Sequence, residues 1–357
     1  MSSSDDHNRI DRAAFDLMIE AAGDDARSLA ALAEAALWSG NQDRAYGLAR
    51  RARALAPDDA EVRSRTWRPL SADVPRWHFR LVRDEPRNRA FEDALRRAIR
   101  PGMRVLDIGA GTGLLAMMAA RAGAGSVISC ERNEAIAEAA RDIVALNGFT
   151  SIGVVAKDST ELDPETDMGG QADLIVAEIV SNDLLIEGVL PAMEDAARRL
   201  LRPGGTVIPA AGAAMIALAH WEGLDESRLG RVSGFDLSPF NRLSGFLHRI
   251  DVNDPKLSLS SEAATLFEFD FASRGPWRGG RAAVSLDATA PANGVIQWIR
   301  LRMDAVGTYE NRPRPGATSS WAAVFTPFDP PVEAAAGQTV RVEGSYERTR
   351  LRVWASS

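Results

Sequence analysis

The feature that most constrains this fold is a glycine-rich turn between a strand-like run and a helix-like run. It reads VLDIGAGTGLLAMMAARAGAGSVISCE over residues 105–131. An apolar strand that passes through glycines into a helical pattern is typical of a parallel sheet covered by helices. Glycine suits such a turn because it adopts tight backbone conformations and lets main-chain amides approach a ligand.

The alternation of strands and helices continues on both sides of this turn. We predict five strands and four helices, which indicates a parallel sheet covered on both faces. The predicted strands are residues 104–108, 126–130, 153–156, 174–177 and 206–208. The predicted helices are residues 86–99, 114–122, 134–146 and 190–201. The run Leu201-Arg202-Pro203-Gly204-Gly205 is expected to end the last helix, as glycine and proline do after a C-cap.

After residue 209 the pattern changes to short alternating runs separated by glycine, proline, asparagine and aspartate. This pattern favours an antiparallel sheet or barrel. A longer excursion from it is expected to begin at residues 234–241. The predicted strands are residues 213–219, 266–271, 294–303, 320–327, 339–344 and 349–355.

Residues 1–66 are helical in character and rich in alanine and arginine. Small residues recur at Ala45, Ala49 and Ala52, and Gly40 separates two helical halves. The pattern resembles one tetratricopeptide repeat of about 34 residues, preceded by a helix at residues 12–22. We favour a structural cap formed by this helical hairpin, and a peptide-binding groove is the alternative.

The details of the glycine turn predict a cofactor. The nicotinamide fingerprint G-x-G-x-x-G requires glycine where this chain has Leu114. The form G-x-G-x-G after an aspartate instead resembles the S-adenosylmethionine methyltransferases. Strand order then predicts a carboxylate on the ribose at the end of the second strand, and polar residues near the adenine after the third. The predicted cofactor-binding residues of these three segments are Asp107, Gly109, Gly111, Gly113, Glu131, Asp158 and Ser159.

Two glutamates, Glu178 and Glu187, follow the fourth predicted strand. Their segment, AEIVSNDLLIEGVLPAMEDAARRLL, resembles the double-E hairpin of the protein arginine methyltransferases. The arginine guanidinium is cationic at neutral pH and therefore a poor nucleophile. Two buried carboxylates can pair with it and align one nitrogen with the methyl group of S-adenosylmethionine, so we predict that both glutamates are catalytic.

Other segments resemble the same family in the same order, over residues 78–356. The segment HFRLVRDEPRN is similar to its H-x-x-M-x-x-D-x-x-R motif, which implies that Arg87 binds the cofactor carboxylate and that His78 and Leu81 face the substrate. Ser320 and Trp321 stand at its Thr-His-Trp motif and are likewise predicted to bind substrate. The similarity is closest to the branch that makes monomethylarginine, and it implies a homodimer formed through residues 234–265.

Departures from the family keep other functions open. Ser320 replaces a histidine that often pairs with the aspartate matching Asp84, and Leu81 replaces a methionine. The substrate is therefore an arginine-containing protein or peptide, or alternatively a small guanidine such as free arginine. A third interpretation, from another class, is a non-catalytic scaffold whose tetratricopeptide-like segment binds a partner.

Together these patterns predict an α/β plus all-β protein in three segments. Residues 1–66 are expected to be helical, residues 67–210 to form a Rossmann-like class I methyltransferase domain, and residues 211–357 a β-barrel-like substrate and dimerisation domain. A formal net charge of −7 argues against a nucleic-acid partner, and no apolar run is long enough for a membrane helix. The single cysteine, Cys130, fits a reducing cytoplasm, and we predict no metal site.

Overall fold

The computed structural model describes residues 12–72, 74–329 and 333–356. Residues 1–11 of the predicted helical segment lie outside this range. The chain separates into two compact units, Met1–His78 and Phe79–Ser357. Among the described residues, no helix has both the length and the apolar character needed to cross a bilayer.

The first unit is a small helical bundle. Aspartate or asparagine precedes the second, third and fourth helices, and each of these side chains accepts a backbone N–H of the helix that it starts. Small buried residues such as Ala33, Ala45 and Ala49 let the helices pack closely. The helices are α1 (Arg12–Ala22), α2 (Ala26–Trp38), α3 (Gln42–Leu55) and α4 (Ala60–Ser71). The predicted first helix and the turn at Gly40 are both present.

The second unit begins with the predicted parallel sheet. Its strands follow the order β3-β2-β1-β4-β5, and every pair is parallel. Helix α5 (His78–Leu81) spans the boundary between the units, because its first residue belongs to the first unit. The elements that follow are α6 (Glu85–Ala98), β1 (Arg104–Ile108), α7 (Leu114–Arg121), β2 (Ser126–Cys130), α8 (Glu134–Leu146), β3 (Ile152–Val155), β4 (Ala172–Ala177), α9 (Val189–Arg199) and β5 (Leu201–Ile208). Apolar strands such as β4 are almost fully buried, as expected for a sheet covered on both faces.

One predicted boundary in this sheet was wrong. Helix α9 ends at Arg199, and the run that starts at Leu201 belongs to strand β5. Leu201 pairs with Ala172 of β4, so pairing with a neighbouring strand recruits residues that local sequence assigns to a helix end.

The rest of the second unit consists of antiparallel strands. Strands β10-β6-β13-β15-β9 form the main sheet, with β11 also paired to β6 and β14 to β13, while β12-β16-β17 form a second sheet. The elements are β6 (Ala211–Trp221), α10 (Gly223–Glu226), β7 (Arg231–Val232), β8 (Phe235–Asp236), β9 (His248–Ile250), β10 (Leu257–Leu259), β11 (Ala264–Asp270), β12 (Gly280–Asp287), β13 (Gly294–Arg302), β14 (Thr308–Glu310), β15 (Ala323–Pro327), β16 (Thr339–Glu347) and β17 (Arg350–Ser356).

Strand β6 is buried on both faces, which explains its long apolar run. Ile216 and Leu218 join the core shared with the parallel sheet. Met215 and Ala217 point the other way, into a second core with Trp298 and its neighbours. The predicted fold class is confirmed, although the strand predicted at residues 320–327 begins only at Ala323.

Candidate active site

Three predicted acidic site residues and the glycine turn lie along one edge of the parallel sheet. Strands β2, β1 and β4 are parallel neighbours, so their carboxyl ends meet at the same edge. Asp107 and the glycine turn end β1, Glu131 follows β2, and Glu178 follows β4. The topology therefore brings together residues that are far apart in the chain.

The glycine turn is fixed to the end of β2. The backbone N–H groups of Gly109 and Ala110 donate to the carbonyl oxygen of Cys130 at 3.0 and 2.9 Å. Gly109 has φ +87°, and a Cβ there would lie 2.8 Å from the side chain of Ile179. Gly111 has φ +52°, and a Cβ there would meet no atom within 4 Å. Close packing therefore requires glycine at 109, whereas position 111 borders open space.

Two carboxyl groups flank this turn. Asp107 is buried; its Oδ2 accepts a hydrogen bond from Ser129 at 2.7 Å, and burial raises its pKa to about 7. Glu131 is only partly exposed, and it accepts the N–H of Gly111 at 3.2 Å and that of Asn133 at 3.0 Å. The glycine turn after β1 and the residue that starts α8 therefore orient Glu131 together.

The predicted adenine-side residues come directly after strand β3. Asp158 caps a short 3-10 turn, Ser159–Glu161, where its carboxylate accepts the N–H of Thr160 at 3.0 Å. Ser159 is buried in that turn. Because β3 pairs with β2, this turn lies at the same edge as Glu131. Contact of Asp158 and Ser159 with a cofactor stays a prediction.

The loop that carries the two glutamates is held by internal hydrogen bonds. Asp183 Oδ1 accepts from Ser181 Oγ at 2.6 Å and from the N–H groups of Leu185 and Ile186 at 3.2 and 3.1 Å. Leu184 is fully buried with φ +77°, an unusual conformation for a residue other than glycine. Such a conformation persists only where the surroundings fix it, so we infer that this loop has a well-defined conformation.

Arg87 contacts one of these glutamates directly. Its guanidinium forms an ion pair with Glu178, and both side chains are 4% exposed. The Nη1 of Arg87 also donates to Asn88 Oδ1 at 2.7 Å, while its Nε has no partner among the described residues. Arg87 therefore holds Glu178 directly. Its binding of the cofactor carboxylate stays a prediction.

Both catalytic candidates have raised pKa values. Burial raises the pKa of Glu178 to about 7, although the positive charge of Arg87 opposes the shift. Removal from water also raises the pKa of Glu187 to about 7, and the nearby charge of Glu178 adds to this shift. Glu187 is an exposed residue as a whole, so its carboxyl group is less completely removed from water than that of Glu178. Arg87 is one cation beside two carboxyl groups, so it cannot balance both negative charges. A cationic ligand would supply the missing positive charge.

Ser320 contacts Asp84. The family resemblance led us to expect that the residue at position 320 lies near this aspartate. The Ser320 N–H and Oγ donate to Asp84 Oδ2 at 2.7 and 3.0 Å. Sequence reasoning missed Tyr309, whose hydroxyl also donates to Asp84 Oδ2, at 3.2 Å. It also missed Asn182, whose Oδ1 accepts the N–H of Ala322 at 2.8 Å and joins the glutamate loop to the loop after Ser320. No local motif marks either residue.

The other predicted substrate-side residues have different surroundings. Trp321 is buried and packs edge-to-face on Tyr309, with ring centroids 5.5 Å apart. Leu81 is partly buried against the main core. His78 belongs to the first unit, where its ring stacks on Trp77 at 3.9 Å. Substrate contact of these residues stays a prediction.

Known proteins resemble this chain over the unit that contains the site. The family model of ribosomal protein L11 methyltransferase (PrmA) matches residues 92–212. An arginine N(omega)-methyltransferase of Streptomyces achromogenes subsp. streptozoticus is 40% identical over 290 residues, which cover 79% of each chain. The chain belongs to the arginine methyltransferase family. Protein arginine N-methyltransferase 7 of Oryza sativa subsp. indica is 32% identical over 272 residues, or 67% of this chain and 37% of that protein.

Solved structures share the fold of this family member. A chain from the Trypanosoma brucei PRMT1 enzyme-prozyme heterotetrameric complex with AdoHcy matches with a TM-score of 0.68 at 21% identity, covering 80% of this chain and 100% of that one. The PRMT6-SAH structure matches with a TM-score of 0.60 at 19% identity, covering 78% and 99%. Family membership confirms the predicted enzyme class, an S-adenosylmethionine-dependent arginine N-methyltransferase.

The sheet edge fits this cofactor. Asp107 Oδ1 and Arg87 Nε are buried polar atoms without partners among the described residues. Buried polar atoms are normally hydrogen-bonded, so a polar ligand at this edge would complete both. The open space beside Gly111 lies at the same edge and could admit that ligand. Beyond these orphan atoms, the acidic residues that end β1 and β2 match the pattern expected for a nucleoside ligand.

Proposed function

We propose that this arginine methyltransferase acts on arginine in a protein or peptide and uses Glu178 and Glu187 to bind the guanidinium. The observation that carries the proposal is the pair of acidic residues after β4, one buried with Arg87 and both with raised pKa values. A guanidinium offers several N–H donors in a fixed plane and matches two carboxylates.

The two glutamates have separate tasks in this proposal. Glu178, held by Arg87, fixes the plane of the guanidinium, and Glu187 binds its outer edge. Their negative charge draws positive charge away from the nitrogen that reacts. When bound, S-adenosylmethionine supplies an electrophilic methyl group on a sulfonium. The guanidinium nitrogen would take this methyl group in exchange for one proton, which the carboxylate of Glu187, with a pKa of about 7, would accept.

The remaining predicted cofactor residues support binding in this proposal. Asp107 and Glu131 would accept hydrogen bonds from the amino acid and ribose portions, with Gly109, Gly111 and Gly113 giving close approach. Asp158 and Ser159 would border the adenine, and Arg87 Nε would donate to the carboxylate.

The direct test is methyl transfer from labelled cofactor to an arginine peptide by the unchanged protein and by the Glu178→Gln/Glu187→Gln double variant. We expect transfer by the unchanged protein and a loss of at least ~10²-fold in the variant, since each carboxylate stabilises charge in the transition state. Cofactor affinity, measured by calorimetry, should stay nearly constant. Near-normal methylation by the double variant would refute the assigned roles.

Free arginine, or another small guanidine, is the second candidate substrate. The relative from Streptomyces is named for arginine rather than for protein arginine. Ser320, in place of a histidine, also gives this chain a different loop beside Asp84. Assays with an arginine peptide and with free arginine, under the same conditions, separate the candidates by their kcat/KM values.

We also propose the finer assignments that follow from the family resemblance. The product is monomethylarginine, which mass spectrometry of the product distinguishes from dimethylarginine. The enzyme is a homodimer formed through residues 234–265. In support, large apolar side chains are exposed in this part of the chain, including Phe235 at 73%, Leu243 at 67% and Phe240 at 63%. An exposed apolar cluster of this kind is a mark of an interaction surface.

We keep the proposal that the first unit is a tetratricopeptide-like structural cap. We also propose that the enzyme is cytoplasmic and has no nucleic-acid partner. The support is a compact alanine-rich core formed by helices α1 to α4. In the three-segment proposal, residues 67–210 bind the cofactor and residues 211–357 form the substrate and dimerisation domain. Deletion of residues 1–66 should therefore lower stability more than it lowers kcat.

A further inference from the structure

The carboxylate of Asp84 connects residues of the antiparallel part of the chain to Arg87, which contacts Glu178. Asp84 is 6% exposed. Its Oδ2 accepts hydrogen bonds from the Ser320 N–H at 2.7 Å, the Ser320 hydroxyl at 3.0 Å and the Tyr309 hydroxyl at 3.2 Å. These three donors fix the direction of the oxygen. They also matter for stability, because a buried carboxylate oxygen without donors is strongly unfavourable.

The other oxygen of the same carboxylate starts helix α6. Asp84 is the N-cap residue of α6, and its Oδ1 accepts the N–H of Arg87 at 3.1 Å. Arg87 in turn forms the buried ion pair with Glu178. An unbroken series of contacts therefore runs from the side chain of Tyr309 through Asp84 and Arg87 to Glu178.

The surroundings of Tyr309 hold its hydroxyl group beside Asp84, to which it donates. It lies on strand β14, its ring packs on Trp321, and its hydroxyl also lies 2.9 Å from Ser319 Oγ. Burial raises the pKa of Tyr309, so its hydroxyl stays protonated at neutral pH. Phenylalanine at this position would keep the packing of the ring and remove only the donor.

We propose that Tyr309 is a positioning residue for methyl transfer, which acts through Asp84 and Arg87 to orient Glu178. This inference rests on the proposed function. Tyr309 and Ser320 together supply the donors to Asp84 that an imidazole supplies in the sequences that this chain resembles. The expected consequence is specific, because loss of one donor loosens the start of α6 and misaligns Glu178 without emptying either binding site.

The test is the Tyr309→Phe variant, with steady-state kinetics on the better guanidine substrate and calorimetry with S-adenosylmethionine. We expect kcat to fall on the order of tenfold, since the lost hydrogen bond is to a charged group. The KM for the guanidine and the cofactor affinity should each change by less than about threefold, because the charges of the site are all retained. The Tyr346→Phe variant is the matched control, since its ring packs on Phe267 and Phe269 in the same unit.

A second variant separates positioning from packing. In Tyr309→Phe/Ser320→His an imidazole can again donate to Asp84, and we expect at least half of the lost kcat to return. A residue that only fills the core would give no such rescue.

The outcomes are distinct. A kcat of Tyr309→Phe within twofold of the unchanged protein, or a fall equal to the loss of folded protein in circular dichroism, would overturn this inference alone. A fall without any rescue by Ser320→His would also overturn it. If the unchanged protein transfers no methyl group to a peptide or to free arginine, the proposed function fails, and this inference fails with it.

Discussion

Replacement of Glu178 by glutamine should separate its role in catalysis from its effect on stability. Glutamine has nearly the same size, and its amide oxygen can still accept a hydrogen bond from Arg87. We expect kcat to fall by at least ~10²-fold, because a neutral amide cannot balance the positive charge of the guanidinium. Cofactor affinity should hardly change.

The effect on stability follows from the pKa of Glu178. Burial raises this pKa from its ordinary value of 4.5 to about 7, so the folded protein binds the proton more tightly than the unfolded chain does. The resulting stabilisation is fully present below about pH 4.5 and is lost as the pH rises through 7. Its total is about 3 kcal/mol, at roughly 1.4 kcal/mol for each unit of pKa. In Glu178→Gln this loss is absent, so the free energy of unfolding should fall less steeply with rising pH.

Urea unfolding, followed by tryptophan fluorescence between about pH 5 and about pH 8, measures this slope in the ligand-free protein. The control for kcat is Glu194→Gln. Glu194 is also a buried glutamate, with a side chain 5% exposed, but it pairs with Arg198 and Arg348 rather than with a site residue. Equal slopes for the unchanged protein and for Glu178→Gln would show that burial does not hold a proton on this carboxyl. Equal kcat values would refute its catalytic role.

Three further predictions concern the rest of the enzyme. Gly111→Arg should weaken S-adenosylmethionine binding by at least about tenfold in calorimetry, whereas Gly102→Arg, which also has positive φ and open space around it, should not. Ser320→His should keep kcat on an arginine peptide within about threefold, since imidazole can also donate to Asp84; a loss of tenfold or more would contradict this. Phe240→Asp/Leu243→Asp should convert a dimer to a monomer in light scattering, and a monomeric unchanged protein would contradict the proposed dimer.

Local chemistry allowed much of the parallel sheet to be predicted. The period of the apolar residues located strands β1, β2 and β4, and the glycines between β1 and α7 located the turn. Parallel neighbours must end at a common edge, so Asp107, Glu131 and Glu178 could be assigned to one region without a structure. Pairing partners are less visible locally. The residues from Leu201 to Gly205 have the composition of a helix end, but Leu201 and Thr206, at the start of the run and just after it, pair with β4, which includes the run in a strand.

The sequence by itself determined the fold class, the cofactor and the type of substrate group, because these depend on residue types at fixed spacings. Only the tertiary structure decided how the charges of the site are shared. The ion pair between Arg87 and Glu178 and the contact of Tyr309 with Asp84 join residues from separate strands and helices. Neither spacing nor composition encodes such contacts, since they arise when helices, strands and loops that are distant in the chain pack into a common buried space. The pKa values of the two glutamates follow from that same burial.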